Sequence, residues 1–263
     1  MEEVYHIHAF MVHIYVFMKS HEWTIFQQCR ESKVLVVLCC VLLTKGLQRA
    51  YLSPCFENGV LNQMAYFELQ PAESDLQQLA EQYWEKIGEK EQQLEQAAFE
   101  AGESIRNGEY TLANLETIVR WKSERVVHYL IANSEAQIRR ILAVAASPET
   151  STRGAINALT ELRGVDLPIA SAILACIEPE RYTVLDFRAL EALGHARHDV
   201  DFYVEYVAFC KHLADCRVIE PQQELPGPTR MHALERALWE WSRSRPELDE
   251  FPESVFAAHL AAR

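Results

Sequence analysis

The residues best suited to chemistry lie in two short segments near the middle of the chain. In the first, Gly164 is followed by Val165 and Asp166; in the second, Asp186 opens a helical pattern that includes Arg188. A carboxylate at a helix N-terminus stays ionised, because free backbone N–H groups and the helix dipole favour its negative charge. Asp186 is therefore a candidate for stabilising a developing positive charge, and the guanidinium of Arg188 is a candidate for binding an anion.

Helices and a turn must position these side chains. The pattern predicts three helices here, over residues 151–162, 167–177 and 186–193. Gly164 fits the turn between the first two, since reversing a helix needs a positive φ angle that costs little only at glycine. We expect Val165 to pack between these two helices and Asp166 to cap the second.

The rest of the chain from residue 64 onward is also predicted to be helical. Ala, Leu, Glu and Arg are frequent there, and Gly and Pro are few. Capping boxes at Ser74 and Ser134 predict two more helix starts, the first opening one long helix to about residue 105. The predicted fold class is an all-α multi-helix bundle.

The order of elements over residues 151–194 resembles the helix-hairpin-helix DNA glycosylases, the superfamily that includes endonuclease III. The resemblance implies that the turn at Gly164, Val165 and Asp166 binds the backbone of double-stranded DNA without reading its sequence. It implies that Asp186 stabilises the positively charged sugar as a base leaves, or positions an attacking water. Arg188 stands where relatives often have a histidine that touches phosphate. The resemblance therefore predicts a glycosylase-like protein of base excision repair.

Two residues depart from the family's pattern. Asp166 replaces the second glycine of the usual Leu-Pro-Gly-Val-Gly sequence and places a negative charge where phosphate would approach. Pro168 occupies the position at which bifunctional relatives have the lysine that forms a Schiff base. Because proline has no amine, the resemblance implies base release without lyase activity.

A second candidate site is the basic stretch around Trp121, where Arg120, Lys122 and Arg125 are close in sequence. These residues could bind phosphates while the aromatic ring stacks a base. Alternatively, Trp121 belongs to the core and the cations form a solvated surface that pairs with nearby glutamates.

Two other interpretations stay open. Asp186 could also be an ordinary N-cap, because an Asp often stands directly before a helix. The same residues therefore also fit a non-catalytic helix-hairpin-helix module that binds DNA or a protein partner. They also fit an all-α structural protein in which Gly164 and Asp186 serve only the fold.

Charge divides the chain at residue 64. Residues 1–63 are apolar, rich in cysteine and neutral overall, so the whole net charge of −13 falls on residues 64–263. We interpret the first part as a separate N-terminal segment, which is either a set of buried strands or short helices or an upstream extension, and the second part as the helix-hairpin-helix domain. The acidic balance opposes binding to a polyanion unless one surface is locally basic.

The remaining patterns suggest a soluble protein of the cytoplasm. The apolar runs in residues 1–63 are too short to span a bilayer, and they lack the basic start of a signal peptide. The C-terminal region has no cysteine cluster of the iron–sulfur type found in some relatives, so no cofactor is expected. His195, His198 and Asp199 could hold a metal, but a polar loop is far more common, and no metal site is predicted.

Overall fold

A computed structural model describes residues 67–245. Within this range the protein consists of ten α-helices and two short 3₁₀ helices without a strand, which confirms the all-α prediction. The α-helices are α1 (Leu76–Lys86), α2 (Glu89–Arg106), α3 (Leu112–Lys122), α4 (Val127–Leu130), α5 (Glu135–Ala145), α6 (Thr152–Leu159), α7 (Leu167–Ile177), α8 (Phe187–Ala192), α9 (Val200–Asp215) and α10 (Arg230–Arg243). The 3₁₀ helices cover Glu73–Asp75 and Glu124–Val126. The segment 1–63 lies outside the described residues, so its separation from the rest stays a prediction.

Helix α7 is the centre of the bundle. Every residue of α7 except Pro168 is buried, and α2, α3 and α6 pack against it. A helix that is apolar on all sides is typical of the interior of a protein. The helices around α7 therefore determine what the residues at its two ends can contact.

No helix within residues 67–245 is long and apolar enough to span a bilayer.

Local sequence signals place four of the helix starts. The side chains of Ser134, Ser151, Asp166 and Asp186 each accept a hydrogen bond from a backbone N–H in the first turn of the helix that follows. These caps satisfy donors that have no partner inside the helix. The caps at Ser134, Asp166 and Asp186 were expected from the sequence, and for α6 the sequence left Ser151 and Thr152 as alternatives, of which Ser151 is the cap.

The predicted long helix after Ser74 is wrong in two respects. Ile87 and Gly88 are both extended and the next helix begins at Glu89, so the pattern is divided into α1 and α2. Helix α1 packs mainly against α10, whereas α2 packs against α3 and α7, and one straight helix would not make both sets of contacts. Ser74 lies inside a 3₁₀ helix and bonds to Asp75 instead of capping α1.

Candidate functional site around Asp186

An extended segment, residues 183–185, places Asp186 at the start of α8. The hydroxyls of Tyr203 and Tyr206 in α9 donate to the backbone carbonyls of residues 183 and 184, at 3.0 and 3.1 Å. The hydroxyl of Ser171 in α7 accepts from the backbone N–H of Leu185 at 3.0 Å. These buried hydroxyls give the segment the partners that a strand would otherwise supply. The backbone before Asp186 is thereby held against α7 and α9.

Asp186 is a buried carboxylate with three donors. Its Oδ1 accepts from the backbone N–H groups of Arg188 and Ala189 at 3.1 and 3.0 Å, and its Oδ2 lies 2.5 Å from Nζ of Lys122. Burial by itself raises the pKa of Asp186, but the charge and hydrogen bond of Lys122 and the backbone N–H of Ala189 outweigh burial and lower this pKa. The carboxylate is therefore ionised at neutral pH, as the sequence predicted from its place at a helix N-terminus.

Lys122 reaches this carboxylate from the last turn of α3. Its side chain is 17% exposed and that of Asp186 is 11% exposed, so the ion pair is largely withdrawn from water. The neighbouring Trp121 packs against Ala172 and Val184, which anchors the end of α3 on α7 and on the extended segment. Lys122 was predicted to belong to a basic surface, but in the structure it lies in the site of Asp186. Its amine stands beside the carboxylate.

The other members of the predicted basic stretch are not brought to Asp186. Arg120 pairs with Glu116 and Glu124 at 2.6 and 3.0 Å on the outer side of α3. Trp121 is half-buried and faces the rings of Phe99 and His232. Arg125 is exposed. The structure supports the alternative interpretation for two of these residues: Arg120 is a salt-bridged cation and Trp121 is a packing residue.

Arg188 turns toward α10. Its guanidinium lies 4.9 Å from the ring centroids of both Phe187 and Trp239, and its Nη1 donates to Oγ of Ser242 at 3.4 Å. The same Ser242 hydroxyl donates to Glu191 at 2.6 Å, which ties α8 to α10. Arg188 is therefore half-buried between aromatic rings.

The turn at Gly164 has the geometry expected for its residues. Gly164 has a φ of +84°, and a Cβ at this position would stand 2.8 Å from Cβ of Tyr129, so both backbone conformation and packing require glycine. Val165 is buried in the core. Asp166 caps α7 by accepting from the N–H of Ile169 at 3.1 Å. The helix before the turn ends at Leu159, three residues earlier than predicted.

Asn133 fastens this turn to the preceding loop. Its side-chain oxygen accepts from the backbone N–H of Arg163 at 2.8 Å, while its amide nitrogen donates to the carbonyls of Leu130 and Arg163 at 3.0 and 3.1 Å. Because Asn133 is buried, these bonds are shielded from water. No local pattern in the sequence indicates this contact, because it joins residues 30 positions apart.

A second polar cluster, which the sequence did not reveal, is buried between α1, α2 and α10. Oε1 of Glu95 accepts from Nε and Nη2 of Arg236 and lies 3.1 Å from Nε2 of His232, and its Oε2 accepts from the hydroxyl of Tyr83 at 2.7 Å. Burial raises the pKa of Glu95, but these bonds and charges outweigh burial and lower it to about 2. Glu235 lies on the same helix as His232, with its Oε2 3.3 Å from Nδ1 of that histidine.

The loop after α8 shows no arrangement for a metal. His195 packs on the rings of Phe67 and Phe202, and Asp199 caps α9 and pairs with Arg197 at 3.0 Å. Among residues 67–245, no group of three or more His, Cys, Asp or Glu side chains is placed to bind an ion. The carboxylate of Asp199 therefore binds the N-terminus of α9 and the guanidinium of Arg197.

Comparison with known proteins adds no relative to this picture. No family model, curated protein or solved structure matches the chain. The resemblance to the helix-hairpin-helix glycosylases therefore stays a prediction from the sequence.

Proposed function

We propose that the protein is a DNA glycosylase-like enzyme of base excision repair that releases a base by hydrolysis, with Asp186 as its catalytic residue. The observation that carries the proposal is a buried carboxylate held ionised by Lys122 and by two backbone N–H groups. When the bond between deoxyribose and base breaks, positive charge develops on the sugar. A fixed negative charge in a site of low dielectric constant stabilises that transition state strongly.

The ion pair also sets a condition for reaction. Because the ammonium of Lys122 covers one oxygen of Asp186, a sugar reaches that oxygen only after the ammonium has moved. Phe187, the residue after Asp186, is 39% exposed and offers an aromatic face beside the site. We infer that a nucleotide turned out of the duplex enters next to Phe187 and displaces Lys122.

Lys122 favours a second candidate function, a glycosylase that also cuts the strand. An ammonium is not a nucleophile, so Lys122 must first leave Asp186 and pass a proton to water. Its amine then attacks C1′ of the sugar while the bond between C1′ and the base breaks, and the base leaves with that electron pair and takes a proton from the attached nitrogen. Opening of the sugar ring gives the Schiff base. Borohydride reduction during the reaction separates the two candidates. A covalent protein–DNA adduct that is lost in Lys122→Met would support the lyase.

Binding of double-stranded DNA is proposed for the surface of the Gly164 turn. Arg163 is exposed on the turn itself, and Arg125 is exposed next to Val126, whose carbonyl oxygen faces Gly164. Tyr129, which covers Gly164, is 48% exposed. Because arginine contacts with phosphates release counterions, we expect binding to weaken steeply with salt, while Asp166 in the same turn opposes phosphate.

Base release from damaged duplexes tests the proposal. The full chain is incubated with duplexes that each carry one uracil, hypoxanthine or 7-methylguanine, and abasic sites are revealed by alkaline cleavage. We expect wild type to release at least one base, and Asp186→Asn to bind DNA but release that base at least about 100-fold more slowly.

Asp199→Asn is the matched control, because Asp199 caps α9 outside the site. It should leave the rate of release unchanged. Binding by wild type without release of any base would favour the alternative of a non-catalytic DNA-binding module. No binding even at low salt would contradict both functions and favour a protein partner.

A further inference from the structure

The surface beside Asp186 continues from α8 onto the last turns of α10, where two arginines lie on one tryptophan ring. The guanidinium of Arg188 lies 4.9 Å from the ring centroid of Trp239, and the guanidinium of Arg243 lies 5.0 Å from the same centroid. These three residues are called the arginine–tryptophan patch below. The patch begins at the candidate site itself, because the backbone N–H of Arg188 donates to the carboxylate of Asp186.

Arg188 carries a positive charge that no ion pair neutralises within residues 67–245. Its guanidinium makes one hydrogen bond to a side chain of these residues, to the hydroxyl of Ser242 at 3.4 Å, and none of their carboxylates lies at ion-pairing distance. Glu191 on the same helix accepts from Ser242 instead. A guanidinium has five N–H donors, arranged to bind a planar anion with two of them at once. Most donors of this half-buried side chain are therefore available to an anion from outside.

Arg243 adds a second charge that is only partly neutralised. Its Nε lies 3.2 Å from Oε2 of Glu240, and Nζ of Lys86 lies 2.5 Å from Oε1 of the same carboxylate. The side chain of Glu240 is 1% exposed, whereas those of Arg243 and Lys86 are 29% and 44% exposed. One buried carboxylate thus stands between two cations, and the group presents a surplus of positive charge to the solvent.

The spacing of the two arginines suits a nucleic-acid strand. Because both guanidinium groups lie on Trp239, they are separated by at most about 10 Å, a length over which one strand of B-DNA carries about three phosphates. Stacking on the indole ring also holds both guanidinium groups in place, so less conformational freedom is lost when they bind. The two cations can therefore contact neighbouring phosphates of one strand.

We propose that the arginine–tryptophan patch binds the phosphate backbone of the DNA strand next to the lesion, as a second backbone contact besides the Gly164 turn. The inference rests on the proposed function, since it names how the site of Asp186 holds its duplex. In a chain of net charge −13, a polyanion binds where the surface is locally basic, and the patch is such a surface. Phosphate contacts fix the position of a duplex, so two contacts on different helices hold the strand at Asp186.

Salt dependence of DNA binding tests the patch without any catalysis. The full chain is titrated with a duplex that carries one central tetrahydrofuran abasic analogue, over a series of salt concentrations. We expect Arg188→Gln and Arg243→Gln each to lower the slope of log association constant against log salt by about 1, and the double variant to lower it by about 2. Urea denaturation checks that each variant folds. Arg243→Gln leaves Glu240 paired with Lys86, so this variant decides the test if Arg188→Gln does not fold.

Arg230→Gln is the matched control on the same helix. Arg230 lies in the first turn of α10, its side chain is 30% exposed, and it pairs with Glu220 at 2.7 Å. It resembles Arg243 in exposure and in having an acidic partner, but it stands at the other end of α10. Its substitution should leave the slope unchanged. An equal fall in slope for Arg230→Gln and Arg243→Gln would overturn the inference, because overall charge and not the patch would then govern binding.

Ethylation interference locates the contact on the DNA. Phosphates whose ethylation weakens binding are mapped for wild type, for Arg243→Gln and for Arg163→Gln, which alters the Gly164 turn. We expect Arg243→Gln to abolish interference at one or two phosphates that remain sensitive in Arg163→Gln. Loss of the same phosphates in both variants would contradict a second contact.

The outcomes separate this inference from the function on which it rests. If wild type binds DNA and the patch variants keep its slope, the patch is overturned and base release by Asp186 stands. If the slopes fall as expected but no base is released, the patch is supported and the catalytic function is contradicted. Absence of binding by wild type even at low salt would overturn both.

Discussion

Replacing Lys122 by methionine removes the charge that faces Asp186 while keeping most of the apolar stem of the side chain. The carboxylate then stays buried with its two backbone N–H donors and no cation. We predict that Lys122→Met lowers the free energy of unfolding markedly at neutral pH. The protein should still fold, because Trp121 continues to anchor the end of α3.

The expected magnitude follows from the burial of the pair. Breaking a fully buried ion pair costs about 3–5 kcal/mol, because one charge is left without compensation. Here the two side chains are 17% and 11% exposed, and Asp186 keeps two hydrogen bonds, so a smaller loss applies. We expect about 2–3 kcal/mol at pH 7, below the range for a fully buried pair.

The loss should depend on pH in a defined direction. The folded-state pKa of Asp186 is lowered in wild type, so the pair stabilises the fold above the unfolded pKa of about 3.9 and loses this effect as pH falls through the lowered value. In Lys122→Met, the two contributions of Lys122 are lost and the backbone N–H of Ala189 and the charge of Arg188 remain against burial, so the pKa of Asp186 is higher than in wild type. The difference in unfolding free energy should therefore be largest near pH 7 and shrink toward about pH 4.

Urea denaturation of the full chain at several pH values measures the difference in unfolding free energy between wild type and Lys122→Met. Arg120→Met is the matched control on the same helix, because its pairs with Glu116 and Glu124 are exposed and should cost less than about 1 kcal/mol. A loss for Lys122→Met no larger than that of Arg120→Met would refute the reasoning. So would a loss of equal size at pH 4 and pH 7.

Two further substitutions test the frame that positions the site. Gly164→Ala forces a Cβ into a positive φ angle and against Tyr129, so we expect a loss of about 1–3 kcal/mol in urea denaturation, and an unchanged midpoint would contradict the role of the glycine. Ser171→Ala removes the acceptor of the buried Leu185 N–H, so we expect a loss of about 1–3 kcal/mol and faster hydrogen exchange at Leu185, and a slow exchange rate there would count against this bond.

The sequence predicted what depends on neighbouring residues. The caps at Ser134, Ser151, Asp166 and Asp186 and the positive φ of Gly164 each follow from a few adjacent positions, and the structure confirms them. Local patterns suffice here because a cap or a tight turn is satisfied within three or four residues. The all-α class follows from the same patterns repeated along the chain.

The sequence did not predict what depends on tertiary contacts. Lys122 and Asp186 are 64 positions apart, and Glu95 and Arg236 are 141 apart, so no spacing rule joins them. The same holds for Glu235, which reads as one more glutamate on an amphipathic helix. Glycine is a weak helix former, but the break between α1 and α2 at Gly88 depends on the different helices against which α1 and α2 pack.

The rate of base release under single-turnover conditions, in wild type and in Asp186→Asn, tests the central claim most directly. The duplex is one whose damaged base wild type releases, and binding of both proteins is checked on the same DNA. The account predicts equal binding and a rate at least about 100-fold lower in Asp186→Asn, since asparagine keeps the cap but loses the charge. An Asp186→Asn protein that releases the base as fast as wild type would contradict it.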